Sequence, residues 1–411
     1  MTTQPPSRLS RRLGLQDAVV IGLGSMLGTG VFVVFAPAAA RAGSWLLVSL
    51  VIAATVAFAN AMSTARLAAL YPHSGGAYVY GRERLTPTIG ALAGYAFVAG
   101  KIASAAAAAL AVGAYGWPER ARVVAIGAVV LATALDLSGV SRTVRVTRVL
   151  VAVLLSVLAV VVAVALLSPE RQSLDLADAP DGVVGVLGAA ALLFFAFAGY
   201  ARIATLGGEV RDPARTIPRA VPIALAITLL VYAAVAVACL VVLGPERLAA
   251  STIPLVDVVV EAGRAGLVPF VKVAAAVAAF AVLLNLVVGI GRSVFAMAAQ
   301  RDLPNALAVV DQRRSVPWRA ELLVGITVLM VVSFGGLVGA VSFSAFTILV
   351  YYAIANSAAL TLARTERPEP RALAIIGLLG CLTLAFSLPW QTIIGGMAVL
   401  ATLLLIRRAV Q

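Results

Sequence analysis

The sequence predicts an all-α integral membrane protein, and three observations carry that prediction. Of its 411 residues, 62% are hydrophobic and only 12% are charged, and the mean hydropathy is +1.04. A soluble chain of this length needs far more polar surface to cover its outside. Apolar stretches recur along the whole chain, and each crossing of a bilayer needs roughly 20 apolar residues. The basic residues, which give a net charge of +13, gather in the short connections between those stretches.

Twelve spans are expected. Their approximate limits are Leu15–Ala40, Ser44–Ala68, Pro87–Tyr115, Val123–Leu137, Val146–Leu167, Val183–Leu206, Ala220–Leu243, Leu267–Ala299, Ala320–Leu337, Val341–Leu362, Ala372–Leu388 and Thr392–Ile406. Connections on the cytoplasmic side of a membrane are enriched in Lys and Arg. Alternate connections here carry Arg82 and Arg84, then Arg142, Arg145 and Arg148, then Arg211, Arg215 and Arg219. The series continues with Arg301, Arg313, Arg314 and Arg319, then Arg364, Arg367 and Arg371, and finally Arg407 and Arg408. The intervening connections hold Arg41, Arg120, Arg122, Arg171, Arg247 and Arg264, with Asp175, Asp178 and Asp181, a bias of about three to one. One missed or invented span would scramble that alternation. It places both termini in the cytoplasm of a multi-pass plasma-membrane protein, built as one transmembrane domain.

Several function classes are excluded by the same composition. Basic residues distributed for membrane orientation do not indicate nucleic-acid binding. Cys239 and Cys381 lie in apolar runs and read as small core residues. His73 has no metal-ligand neighbours, so no metal site is expected. No cofactor motif is present. Arg8, Arg11 and Arg12 precede an apolar stretch from Ala18 to Ala40, which is too long for a signal-peptide core of roughly 7–15 residues and reads as a retained helix. A membrane enzyme would require paired histidines, a serine with a base or metal-binding carboxylates, and none is visible. A sensor is a further alternative, but no signalling domain follows the last span.

Span one contains Gly22, Gly24, Ser25, Met26, Leu27, Gly28, Thr29 and Gly30, four glycines within nine residues. Each glycine costs roughly 1 kcal/mol relative to alanine in a helix. The plainer reading is a close-packing face, because small residues let membrane helices approach one another. The functional reading is an unwound segment, tolerated at membrane depth only beside protein or a water-filled cavity. A dinucleotide fingerprint is excluded, since no strand precedes the run and its third glycine falls one position late. Span six has a second candidate break at Phe195, Ala196, Phe197, Ala198, Gly199 and Tyr200, followed by Gly207, Gly208 and Glu209. Gly-interrupted helices at matching places in two halves point to a midplane site between inverted repeats. The halves run approximately 15–167 and 183–362, with two additional helices at 372–406. A half-helix N-terminus attracts an anion, and freed carbonyls accept from an ammonium. Such a two-pole main-chain site suits an α-amino acid.

At these residues the chain resembles the amino acid–polyamine–organocation permease superfamily, over essentially its whole length. The resemblance rests on Gly28 to Phe32 and Phe195 to Tyr200, on the stretch from Glu209 to Arg219, and on Met297 to Pro304 with Ser315 to Trp318. Tyr71-Pro72 and Gly75 to Tyr78 add to it. It implies the five-plus-five inverted-repeat fold of the bacterial leucine transporter and alternating access around broken helices one and six. By position it implies that Ser25, Met26, Leu27, Gly28, Thr29 and Gly30 meet the substrate carboxylate and amino group. Carbonyls from Phe195 to Ala198 serve the amino group, with Gly199 at the break, and Phe197 and Tyr200 form an aromatic gate. Ala201 stands where many relatives have an acidic residue, and Arg202 follows it. This argues against a polyamine or other cationic substrate, the runner-up reading. Val153 or Leu154 stands near the place where several proton-coupled relatives carry a lysine, and span five has no lysine in its interior, so the resemblance does not support proton coupling by that route.

Lys101 lies mid-span, and an ionisable group there is a functional candidate by default. Burial would make it able to exchange a proton, so protons are a candidate coupling ion; the plainer reading is snorkelling. Asn285, mid-span in span eight, is a second candidate for coupling, with interhelical hydrogen bonding as the plainer reading. Asp136 and Arg202 read as boundary or gating groups. Glu209 among Arg211, Arg215 and Arg219 reads as an ion-pair cluster. Span eight offers only Ser293 towards a sodium site, so sodium coupling is not favoured.

Overall fold

The computed structural model describes residues 13–71, 75–138, 144–169, 172, 179–204, 210–311, 316–366 and 370–410. His73, Gly207, Gly208 and Glu209, the acid of the expected ion-pair cluster, lie outside the described residues. Seventeen α-helices run through the described residues: α1 Leu15–Leu27, α2 Gly30–Val33, α3 Phe35–Ala42, α4 Leu46–Leu70, α5 Ala77–Arg84, α6 Pro87–Gly116, α7 Ala121–Leu137, α8 Val144–Leu166 and α9 Gly182–Phe197. The others are α10 Ala201–Ala204, α11 Pro213–Ala250, α12 Pro254–Glu261, α13 Val268–Ala299, α14 Trp318–Phe334, α15 Leu337–Leu360, α16 Arg371–Phe386 and α17 Trp390–Val410. The isolated β-bridges among the described residues are Leu13–Val210 and Asp311–Val316.

Nine segments among the described residues are long and apolar enough to cross a membrane. The helices α7, α14 and α16 are shorter, at 17, 17 and 16 residues. Large side chains on the outside of the bundle are apolar: Leu230 is 71% exposed and Phe334 is 88% exposed. Water would penalise such a surface and hydrocarbon would not. Inside, small residues set the spacing. Ala105 to Ala109 of α6 are all fully buried, which lets α13 and α15 approach closely.

Local sequence accounts for several helix ends. Thr86 accepts a hydrogen bond from the Ile89 N–H at 3.2 Å, and Pro87 occupies the first helical position of α6. Gly244 has φ 71° and kinks α11 beside Pro245. Several long-range contacts that involve charged residues or connections fall into two groups. In one, Arg211 N–H donates to Leu13 O, Arg148 pairs with Asp17, and Arg82 and Arg407 pair with Asp302. In the other, Arg41 pairs with Asp181 and donates to Ser387 O, Arg122 donates to Gly335 O, and Arg247 pairs with Glu261.

Candidate functional site

The helical pattern stops at Leu27 and resumes at Gly30, with Gly28 and Thr29 between. In the second segment α9 ends at Phe197, Ala198–Tyr200 form a 3-10 turn, and α10 starts at Ala201. The two interruptions pack directly against each other. A Cβ on Gly30 would lie 2.5 Å from the Ala196 Cβ, and a Cβ on Gly199 would lie 2.4 Å from the Ser25 carbonyl oxygen. Glycine therefore sits on each segment where the other's backbone passes. Neither approach tolerates a side chain without displacement.

Three neighbouring helices hold this pair. A Cβ on Gly28 would meet Val282 of α13 at 2.2 Å. Tyr115 of α6 donates to Phe32 O at 3.1 Å, and its ring stands edge-on to Phe32. Tyr232 of α11 is fully buried, donates to Met26 O at 2.6 Å and lies 3.3 Å from Ala196 O. One hydroxyl thus faces a carbonyl from each interrupted segment. Its ring also packs edge-on to Phe197 and Phe35, with centroids 5.1 and 6.0 Å away. Sequence reasoning missed Tyr232, because nothing local marks a tyrosine within an apolar span as facing two carbonyls more than thirty residues distant.

The expected site residues on span one are gathered at the interruption. Met26, Leu27 and Thr29 are buried, as are Gly28 and Gly30. Ser25 is half-buried and turns its hydroxyl back to Ile21 O at 2.9 Å, so its side chain is already engaged within the helix. The Thr29 hydroxyl is buried and has no partner among the described residues. On the second segment Ala198 is buried, and Phe195 and Gly199 keep partial exposure. Phe197 and Tyr200, expected over the site as a gate, are both fully buried in this conformation. Tyr200 stacks on Tyr352 with centroids 5.1 Å apart.

Lys101 is half-buried on α6, with its ammonium 5.8 Å from the centre of the Phe97 ring. Phe97 in turn packs against Tyr351. An aromatic run, Phe97, Tyr351, Tyr352 and Tyr200, therefore joins Lys101 to the second interruption. Asn285 is exposed on α13. It follows Ala278 and Val282 at the spacing of one helix face, and those two residues meet Gly28. No group of three or more His, Cys, Asp or Glu that would hold a metal occurs among the described residues.

The expected boundary residue Asp136 is instead buried, against α14, where Glu321 is buried too. Elsewhere Asp302 is fully buried and receives Tyr78 and Arg82 at 2.6 Å and Arg407 at 2.7 Å. Burial, then the Asp302 carboxylate, pushes the Tyr78 phenol above its ordinary range. Arg84 and the Ala363 N–H hold the Glu366 carboxyl below its ordinary range.

Comparison with known proteins gives this arrangement a family. The chain is 54% identical over 396 residues to an uncharacterized transporter of Mycobacterium tuberculosis, covering 96% of this chain and 90% of the relative. It is 26% identical to the branched-chain amino acid permease BcaP of Bacillus subtilis, covering 95% and 91%. It is 28% identical to human cationic amino acid transporter 4, covering 88% of this chain and 61% of that protein. The expected family resemblance is borne out, and the relatives indicate a transporter rather than an enzyme. The amino acid permease family matches residues 13–405, nearly the whole chain, and the protein belongs to that family, within the amino acid–polyamine–organocation superfamily.

Proposed function

We propose that the protein is a secondary transporter that carries α-amino acids with uncharged side chains across the plasma membrane by alternating access. The observation that carries this reading is the mutual packing of the two interruptions through Gly30 and Gly199, with the Thr29 hydroxyl buried beside them and unpartnered. A buried donor without a partner costs about 1–3 kcal/mol, and a substrate carboxylate would recover it. The amide groups from Gly28 to Gly30 add a positive half-helix end to the same place. Carbonyls near Met26 and Ala196, now facing Tyr232, supply acceptors for the ammonium.

The reading takes twelve crossings, with α7, α14 and α16 as the short ones and helices one and six interrupted. The two groups of contacts support it, because every pair joins segments that the charge alternation assigns to one side. Both termini then lie in the cytoplasm, and residues 15–167 and 183–362 form the two repeats. The permease of Bacillus subtilis named for branched-chain amino acids favours an apolar substrate, and Ala201 in place of an acid argues in the same direction.

The test is a thermal-shift screen of the purified protein against the twenty amino acids, spermidine and putrescine, followed by uptake of the stabilising compound into proteoliposomes. A ligand that binds only the folded protein must raise the midpoint, by about 2.7 kcal/mol of stability at a hundred times its Kd. Stabilisation by one chemical group of amino acids, with uptake, is the expected outcome. If only the polyamines stabilised, the amine reading would replace it. If none did in a well-folded sample, the substrate assignment would be lost.

A further inference from the structure

A second polar centre lies away from the interruptions, where α7, α13 and α14 meet. Asp136 and Glu321 are 5% and 2% exposed, and each has one carboxylate oxygen without a partner among the described residues. Thr133, 9% exposed, adds a third such oxygen. Thr133 and Asp136 are one turn apart on α7, and Glu321 and Gly325 are one turn apart on α14. A Cβ on Gly325 would lie 2.7 Å from the Thr133 hydroxyl, so the Thr133 side chain points at this stripe of α14. A Cβ on Gly291 of α13 would lie 2.7 Å from the Glu321 Cγ, which closes the third side. Small residues thus press three helices onto two carboxyl groups.

The charges on the packed helices fix what this centre can hold. Glu321 lies within electrostatic range of Asp136, and both lie within range of Arg292 on α13. Arg319 of α14 is exposed, with its guanidinium over Trp318. Lys101 of α6 lies over Phe97. Lys272 of α13 is twenty residues from Arg292, roughly 30 Å along the helix. Arg292 is itself exposed, so it offsets only part of two ionised carboxylates and leaves negative charge on buried oxygens, which is unfavourable. One added proton removes the repulsion between the carboxylates and supplies a donor for the unpartnered oxygens.

We propose that Asp136 and Glu321 share a single exchangeable proton, and that this is the coupling proton of the transport cycle. The coupling half rests on the transport reading; the shared proton does not. Helix α13 connects the two centres. It touches Gly28 through Val282 and Glu321 through Gly291, nine residues and roughly 14 Å further along. A shift of α13 accompanying substrate binding would move Arg292 relative to the carboxyl pair and change its hold on the proton.

Infrared spectroscopy of the purified protein at neutral pH tests the site without any substrate. A protonated-carboxyl C=O band is expected in the wild type, and it should be lost in Glu321→Gln and in Asp136→Asn, since the remaining carboxylate no longer faces a second negative charge. A wild-type spectrum with carboxylate bands only, or a band surviving in both variants, overturns the shared proton. Labelling by a hydrophobic carbodiimide, which attacks protonated carboxyls in apolar surroundings, needs no variant. Label at Asp136 or Glu321 that falls as pH rises is expected; none at either residue at any pH overturns the proposal. For coupling, Glu321→Gln in proteoliposomes should keep substrate exchange but lose stimulation of uptake by an imposed pH gradient. Unchanged stimulation overturns the coupling role, whereas a wild type that transports nothing defeats the transport reading and leaves the infrared result standing.

Discussion

Replacing Gly199 with alanine puts a methyl group where the backbone of the first interruption passes. The new Cβ would lie 2.4 Å from Ser25 O, 2.5 Å from Ser25 C and 2.7 Å from Met26 N. Ordinary contact between such atoms is about 3.5 Å, so the shortfall is about 1 Å. All three atoms are main chain and cannot rotate aside, so the two segments must separate or strain. Overpacking of this kind costs about 1–3 kcal/mol, which is a factor of about 5–150 in the population of the state that holds the segments together. Gly127→Ala is the control, because a Cβ there meets nothing within 4 Å and alanine favours the helix by up to about 1 kcal/mol. Midpoint of thermal unfolding and initial uptake rate in proteoliposomes are measured for both variants. Gly199→Ala should lower both, and Gly127→Ala should leave uptake unchanged and the midpoint equal or higher. If Gly199→Ala matched Gly127→Ala in both assays, the close approach would not govern the site and the reasoning would fail.

Other changes probe the supports of the same architecture. Tyr232→Phe removes the hydroxyl facing Met26 O and Ala196 O, and the stranded carbonyls should cost about 1–3 kcal/mol in a denaturant titration. Because the ring is retained, its packing on Phe197 should persist, and an undiminished stability would show that the hydroxyl contributes nothing. Asp302→Ala removes the carboxylate that pairs with Arg407, which is largely buried and keeps its bond to Thr88, and should lower the unfolding midpoint and speed proteolysis of α17. Glu366 has a depressed pKa, so its contribution to stability is complete above the ordinary glutamate value of about 4.3 and is lost as pH falls through its lower folded value. Glu366→Gln should therefore narrow the difference in midpoint between neutral and acidic samples, and an unchanged acid slope would exclude the Arg84 pairing as its source.

The all-helical membrane character and the glycine-rich stretches were legible in the sequence because each is a local property. An apolar run of a given length, or four glycines within nine residues, says the same thing wherever its neighbours are. Even so, the three short helices illustrate a limit. Span four was expected over Val123–Leu137 and α7 is Ala121–Leu137, yet length alone does not mark it as a crossing. Its place follows from the helices on either side.

Which face of each helix looks where was decided only by the tertiary structure. Rotation of an apolar helix by one residue, about 100°, leaves its hydropathy unchanged but exchanges core for surface. For that reason Asn285, polar and mid-span, read as a candidate for coupling although it is exposed, and Asp136 read as a boundary group although it is buried against α14. Glu321 drew no notice near the start of its span, where an acidic residue normally meets water. Tyr232, Asp302 and Arg407 gained their partners from segments 36 to 319 residues away. The sequence by itself determined an all-helical membrane bundle of this family. Only the packing decided that the glycine-rich stretches touch, through Gly30 and Gly199, and that two carboxyl groups are buried where α7, α13 and α14 pack. Hydropathy and glycine act within a few residues of chain, whereas hydrogen bonds and charge pairs act across space.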